Sequence, residues 1–169
     1  MAPSIRTVQL SIDIQCPPDK VFAAVVDLPS YNEWLPKSDS FQGTTEFSET
    51  PVRTGTKYVE HSALGTRYGE VQKLDEAGHH VIFYQPMKMK PFFLGMELDI
   101  TVNMNVLPAD GDGSVLKREV RVQIPALLGL GGGVIEKKFE VESWRTMEVL
   151  KAYLEKNETA KADKKPDED

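Results

Sequence analysis

The chain has 169 residues, 40% of them hydrophobic, and a formal charge of −6, proportions expected of one soluble globular domain with a sizeable core. Net acidity without a basic run removes the electrostatic ground for binding nucleic acid. No apolar stretch nears the ~20 residues of a membrane helix, the start MAPSIRTVQL lacks an apolar signal core, and the single Cys16 cannot form an internal disulfide, so a cytoplasmic protein is expected.

Taken in order, Val8, Leu10, Ile12 and Ile14 alternate with polar residues, which predicts a half-buried strand ended by Pro17-Pro18. Asp19 to Asp27 predicts a short helix, with Pro18 and Asp19 favouring its start. Leu28-Pro29 interrupts it, and Ser30 to Leu35 adds one helical turn that Pro36 stops. The helix start Pro-x-x-Val-Phe (Pro18, Val21, Phe22), the run Leu28, Pro29, Tyr31, Trp34 and Pro36, and the strand opened by Gly55-Thr56 are together similar to the START-like superfamily. That group includes polyketide cyclase/dehydrase-like proteins, coenzyme Q-binding START proteins and carriers resembling birch-pollen allergen. The resemblance covers residues 5 to 155 and implies an α+β helix-grip fold. A seven-stranded antiparallel sheet would curve around a long C-terminal helix, with two short helices after the first strand and an internal cavity.

The remaining residues agree with such an architecture. Phe41 to Phe47, Gly55 to Leu64, Thr66 to Asp75 and Val81 to Gln85 each read as strands, the middle two forming a hairpin about Gly65. Met87 to Pro91 reads as a loop. Leu94, Met96, Leu98, Ile100, Val102, Met104 and Val106 then alternate with polar residues and Gly95, and the Asp110 to Gly113 turn leads into a last strand, Val115 to Ile124. Gly131 to Gly133 open a helix from Val134 to Leu154, whose apolar stripe is Ile135, Phe139, Met147, Leu150 and Leu154 with Ser143 among them. One domain, 1–155, is expected, followed by a charged tail, 156–169, too polar to pack and expected to be disordered.

Arg118 is the anomaly of the last strand, since it shares the apolar face of Leu116, Val120, Val122 and Ile124. A guanidinium there needs a carboxylate such as Glu60 or Glu70, an exit to water, or an anionic ligand group. Arg67 and Lys73 look exposed, which turns Tyr68, Glu70 and Gln72 inward, and Tyr58 and Glu60 with them, unless a bulge reverses the register. Arg118, Tyr58, Glu60, Tyr68, Glu70 and Tyr84, with Met96 and Leu98 as apolar wall, therefore make a candidate ligand pocket. His61 is the one candidate general base, but it has no carboxylate to orient it. His79-His80 falls at a turn. The scattered His and Asp residues lack the spacing of a metal site, and Gly129-x-Gly131 lacks the parallel strand of a dinucleotide fold, so neither metal nor cofactor is expected. Leu127, Leu128 and Leu130 are expected to form a flexible lip over the cavity.

Binding of a lipid-like or polycyclic, polyketide-like small molecule is the function these residues favour. A cyclase/dehydratase that folds its substrate and moves protons stays open as an alternative, as does the quinone chaperone implied by the coenzyme Q-binding branch. A hydrophobic small molecule is the partner expected.

Overall fold

The computed structural model describes residues 2–90 and 96–162. Strand β1 (Ser4–Ile14) is followed by helix α1 (Pro18–Val26), which carries its proline in the first turn, where the missing N–H costs nothing. A 3-10 turn, Leu28–Ser30, leads directly into the short helix α2 (Tyr31–Trp34). The Phe41 to Phe47 segment forms only the two-residue strand β2 (Thr44–Thr45). Strands β3 (Lys57–His61), β4 (Gly65–Asp75) and β5 (His80–Tyr84) follow.

The segment expected to be a loop after Gln85 instead holds strand β6 (Met87–Met89), while Pro91 lies outside the described residues. Pro86, which cannot donate to a ladder, divides one lane of the sheet, so that β5 and β6 both pair with β4 on one side. On the other side both pair with β7 (Glu97–Pro108), and β8 (Ser114–Ile124) completes the sheet. The order is β1-β8-β7-β5-β4-β3-β2, antiparallel throughout, and β6 continues the lane of β5. Seven lanes thus hold eight strands. This is the helix-grip arrangement.

Helix α3 (Gly132–Ala162) runs further than its apolar stripe required. Residues 156–162, expected to be disordered, continue the helix because no glycine or proline interrupts them. Lys20 of α1 also reaches Glu158 at 2.8 Å, holding that turn near the domain. Residues 163–169 of the expected tail lie outside the described residues.

The two halves of α3 are seated differently. Gly132, Ser143, Met147, Leu150 and Leu154 are buried, whereas Ile135 and Phe139 are half-buried, and β1 meets the helix at both ends, through Arg6 with Glu136 and Asp13 with Lys151. Burial of each large apolar side chain contributes about 2 kcal/mol, so the C-terminal half anchors the helix. The N-terminal half leaves room beneath it.

The α2 turn closes one end of this space. Trp34 is buried, its ring 4.6 Å from that of Tyr31 and stacked at 6.1 Å on Tyr153 of α3. Trp34→Ala should therefore lower stability by about 3–5 kcal/mol in urea melts, the range for truncating a buried aromatic. A loss below ~1 kcal/mol would mean that this contact does not anchor α2.

Candidate functional site

Cross-strand partners in an antiparallel ladder share a face, so the register of β3 with β4 decides which side chains enter the cavity. Tyr58 stands opposite Gly69, and Glu60 opposite Arg67. A Cβ on Gly69 would lie 2.2 Å from the Tyr58 ring, so glycine is what lets that ring lie flat across β4. Arg67, Gly69 and Val71 consequently face inward. The register then slips between Val71 and Lys73, and the extra residue returns Lys73 to the outside. Arg67 and Lys73 had looked exposed together; the bulge separates their fates.

Several expectations are corrected by this register. Tyr68 is 55% exposed and points away from the cavity. Glu70 pairs with Lys57 and Tyr84 on the outer face, and Tyr84 lies there too, with the Asp99 carboxylate beside it raising its hydroxyl pKa. His61 also faces outward, its Nε2 3.0 Å from Thr45 Oγ1. Met96 is half-buried at the sheet margin and its carbonyl accepts from Met89 N, whereas Leu98 is fully buried on the inner face. Tyr58, Glu60, Leu98 and Arg118 are the candidates that remain inside. In the Ala126–Gly131 segment Leu128 packs against the core, but Leu127 and Leu130 stand in solvent and do not border the cavity.

The cavity lies between the inner face of the sheet and the N-terminal half of α3. Its first chamber opens to solvent, and about 680 Å³ of free space, open solvent included, lies within its walls and mouth. Leu28, Tyr31 and Leu35 close one end, Ile100, Val102, Met104 and Val120 form the floor, and Phe139, Glu142, Ser143 and Thr146 of α3 form the roof. Glu60, Arg67, Gln85 and Arg118 supply charged and polar groups beside the apolar side chains, so the wall is mixed in character. A second chamber, with about 450 Å³ of empty space also partly open, is lined by Leu64, Met87, Met89, Leu98 and Ile135, with Ser62 and Lys138 at its edge. Ser40, Arg67, Phe139 and Glu142 border both.

The polar groups fall into satisfied and unsatisfied sets. Arg67 Nη1 donates to Glu60 Oε1 at 2.5 Å and to the Ser40 carbonyl at 2.9 Å, and both side chains of this ion pair are largely buried. Gln85 Nε2 donates to the Tyr58 hydroxyl at 2.6 Å, and the Tyr31 hydroxyl donates to the Val25 carbonyl at 2.8 Å. Burial pushes both tyrosine pKa values up, so both stay neutral hydrogen-bonding groups. Glu142 Oε2 accepts from Ser38 Oγ at 3.2 Å and from Arg145 Nη1 at 3.3 Å, while among the described residues no donor meets its other oxygen.

Arg118 has no such match. The sulfur of Met104, 3.9 Å from Nη1, is its only hydrogen-bond partner among the described residues, and its buried Nε has none. Burial lowers its pKa, partly opposed by the Tyr31 hydroxyl and the Glu60 carboxylate nearby, yet a guanidinium remains charged. The expected partners do not answer it, since Glu60 serves Arg67 and Glu70 is outside. An anion or a carbonyl oxygen entering the cavity would.

The polar cavity-lining residues not anticipated are Tyr31, Arg67, Gln85 and Glu142. The Tyr58–Gly69 match was the one signal for Arg67, because a glycine facing a tyrosine fixes the parity of β4. For Glu142 the hint was Ser143, a small polar residue within an otherwise apolar helix stripe.

The sequence profile described as polyketide cyclase/dehydrase and lipid transport matches residues 6–155. No curated protein sequence matches this chain. Among solved structures, the Zhui aromatase/cyclase of a Streptomyces species is similar with a TM-score of 0.70 at 15% identity, over 90% of this chain and 94% of that one. Norcoclaurine synthase of Thalictrum flavum is similar at 0.69 and 11% identity, over 94% and 99%. A START superfamily protein of Mycobacterium smegmatis follows at 0.66 and 12%, over 89% and 97%. At such identities these structures establish the shared fold.

The Arg67–Glu60 pair is structural by its geometry, which separates it from Arg118. Arg67→Met should cost roughly 3–5 kcal/mol in denaturant melts because it strands Glu60 in a buried setting, and adding Glu60→Gln should recover much of that loss. Failure of the double variant to recover would show that Arg67 supports the Ser40 segment instead.

Proposed function

The chain belongs to the polyketide cyclase/dehydrase and lipid transport family, and from that premise we propose that it binds a hydrophobic small molecule between the sheet and α3, with Arg118 taking an oxygen of the ligand's polar group. The single observation behind this reading is that Arg118 borders a chamber of mixed polar and apolar lining with no carboxylate of the described residues bonded to it, while Glu60 is already used by Arg67. Desolvating a guanidinium costs several kcal/mol, and an arriving carboxylate or polarised carbonyl offsets that cost in the complex. The apolar floor supplies nondirectional affinity and Arg118 sets orientation.

Arg118→Met should leave the empty protein as stable or more so, since it removes a half-buried charge to which no carboxylate of the described residues is bonded. It should also weaken binding of a hydrophobic carboxylic acid by at least ~1.5 kcal/mol in titration calorimetry, the scale of a charge-assisted hydrogen bond. A variant that loses stability but keeps affinity would assign Arg118 to the scaffold. Native mass spectrometry of protein from its own host should carry a co-purified hydrophobic mass.

One observation favours an enzyme of the cyclase/dehydratase type as the second reading. Glu142 lines the chamber that Arg118 also borders, and one of its carboxylate oxygens has no donor among the described residues, so a base on the helix wall would stand across from a cation on the sheet wall. A β-keto substrate with a carbonyl on Arg118 would give its α-proton to Glu142, and the electron pair would move onto the carbonyl oxygen as an enolate. The enolate carbon then attacks a second carbonyl of the same chain, and the new alkoxide takes the proton back. Glu142→Gln should slow cyclisation of a poly-β-keto thioester roughly a hundredfold or more without unfolding the protein. An unchanged rate would leave binding as the sole role.

A further inference from the structure

The site is long and narrow, and its length bears on the class of ligand. Resting on the binding reading above, we infer that the ligand is a linear amphiphile, its acidic head on Arg118 and its unbranched apolar tail in the second chamber. Two elements measure the span independently. On β7, Met104 floors the first chamber beside Arg118, its partner on β8, while Leu98 floors the second. From Leu98 to Met104 the strand advances roughly 20 Å at its usual rise per residue. On α3 the bordering residues run from Ile135 in the second chamber to Thr146 in the first, roughly 16 Å of helix. A long acyl chain covers such a distance. A compact fused-ring acid does not.

The junction between the chambers points the same way. It is bordered by Ser40, Arg67, Phe139 and Glu142, and its two charged members are pinned. Arg67 is held by Glu60 and the Ser40 carbonyl, and Glu142 by Ser38 and Arg145. A ring system lodged there would press on this buried ion pair, whereas a single methylene chain needs less room. Beyond the junction Met87 and Met89, flexible and polarisable, suit a tail of variable conformation. The polar end holds the uncommitted cation and the far end holds thioethers and aliphatic side chains, so the chemistry of the wall changes along the axis as an amphiphile's does.

The test uses the full chain, stripped of lipid, titrated with octanoate, dodecanoate and hexadecanoate below their micelle concentrations, and with dodecanol and an anthraquinone carboxylate. Affinity should rise by about threefold per added methylene while the tail chamber fills. Dodecanoate should outbind dodecanol by about tenfold or more, an advantage that Arg118→Met abolishes. Ile135→Trp, at a half-buried position bordering only the second chamber, should remove the gain of the longer chains and spare octanoate. Leu64→Phe gives the same reading should the first variant not fold. A flat affinity across chain length, with Arg118-dependent binding of the anthraquinone carboxylate, overturns this inference and leaves the binding reading standing. Chain-length dependence untouched by both chamber variants also overturns it, placing the acids elsewhere on the surface. Binding of none of the probes overturns both.

Discussion

The fold depends on how α3 is gripped along one half of its length. Met147, Leu150 and Leu154 are buried under the sheet's β1 side, and their combined burial of several kcal/mol fixes the helix axis. At its other end the helix meets the sheet again, where the buried Gly132 lies against Arg6 and Ile124. The cavity lies between these two contacts, beneath Phe139, Glu142, Ser143 and Thr146. Trp34 and Tyr31 then close its end, because the α2 turn stacks on Tyr153 of the same helix. A single helix thereby serves as both anchor and roof.

Charge within this space is distributed unequally. Glu60 on β3 stands opposite Arg67 on β4, and their cross-strand pairing satisfies both. Glu142 is held by Ser38 and Arg145 at the margin. Arg118, alone in the apolar phase of β8, has neither carboxylate within reach. Two cations and two anions border the first chamber, so its formal charge balances, yet the uneven pairing creates a local demand for an oxygen ligand. Mutual neutralisation elsewhere is what gives that demand its direction.

The same pairing gives the site its shape. Arg67 and Glu142 border both chambers, so the contacts that satisfy their charges also hold the wall the chambers share. Polarity at the Arg118 end and thioethers at the Leu98 end follow from residues spaced along one strand and one helix. Either proposed role would use this axis, and the shared fold does not by itself select between them.

The sequence by itself determined what local periodicity controls. The alternation in β7 and β8, the proline-started α1, the α3 stripe and the misfit of Arg118 among apolar residues were all legible, because each is a relation among neighbours in one segment. Only the tertiary structure decided the rest. The parity of β4 turns on a bulge and on Gly69 yielding to Tyr58 of another strand, so Tyr68, Glu70 and Tyr84 went outside and Arg67 went inside. The claim of Arg67 on Glu60 exists only across that ladder, and it is this claim, invisible in either strand alone, that leaves Arg118 free. The place of Glu142 at the cavity likewise needed the 36–41 segment to fold back over α3. A strand's own pattern shows which residues share a face. Which way that face turns is set by its neighbours.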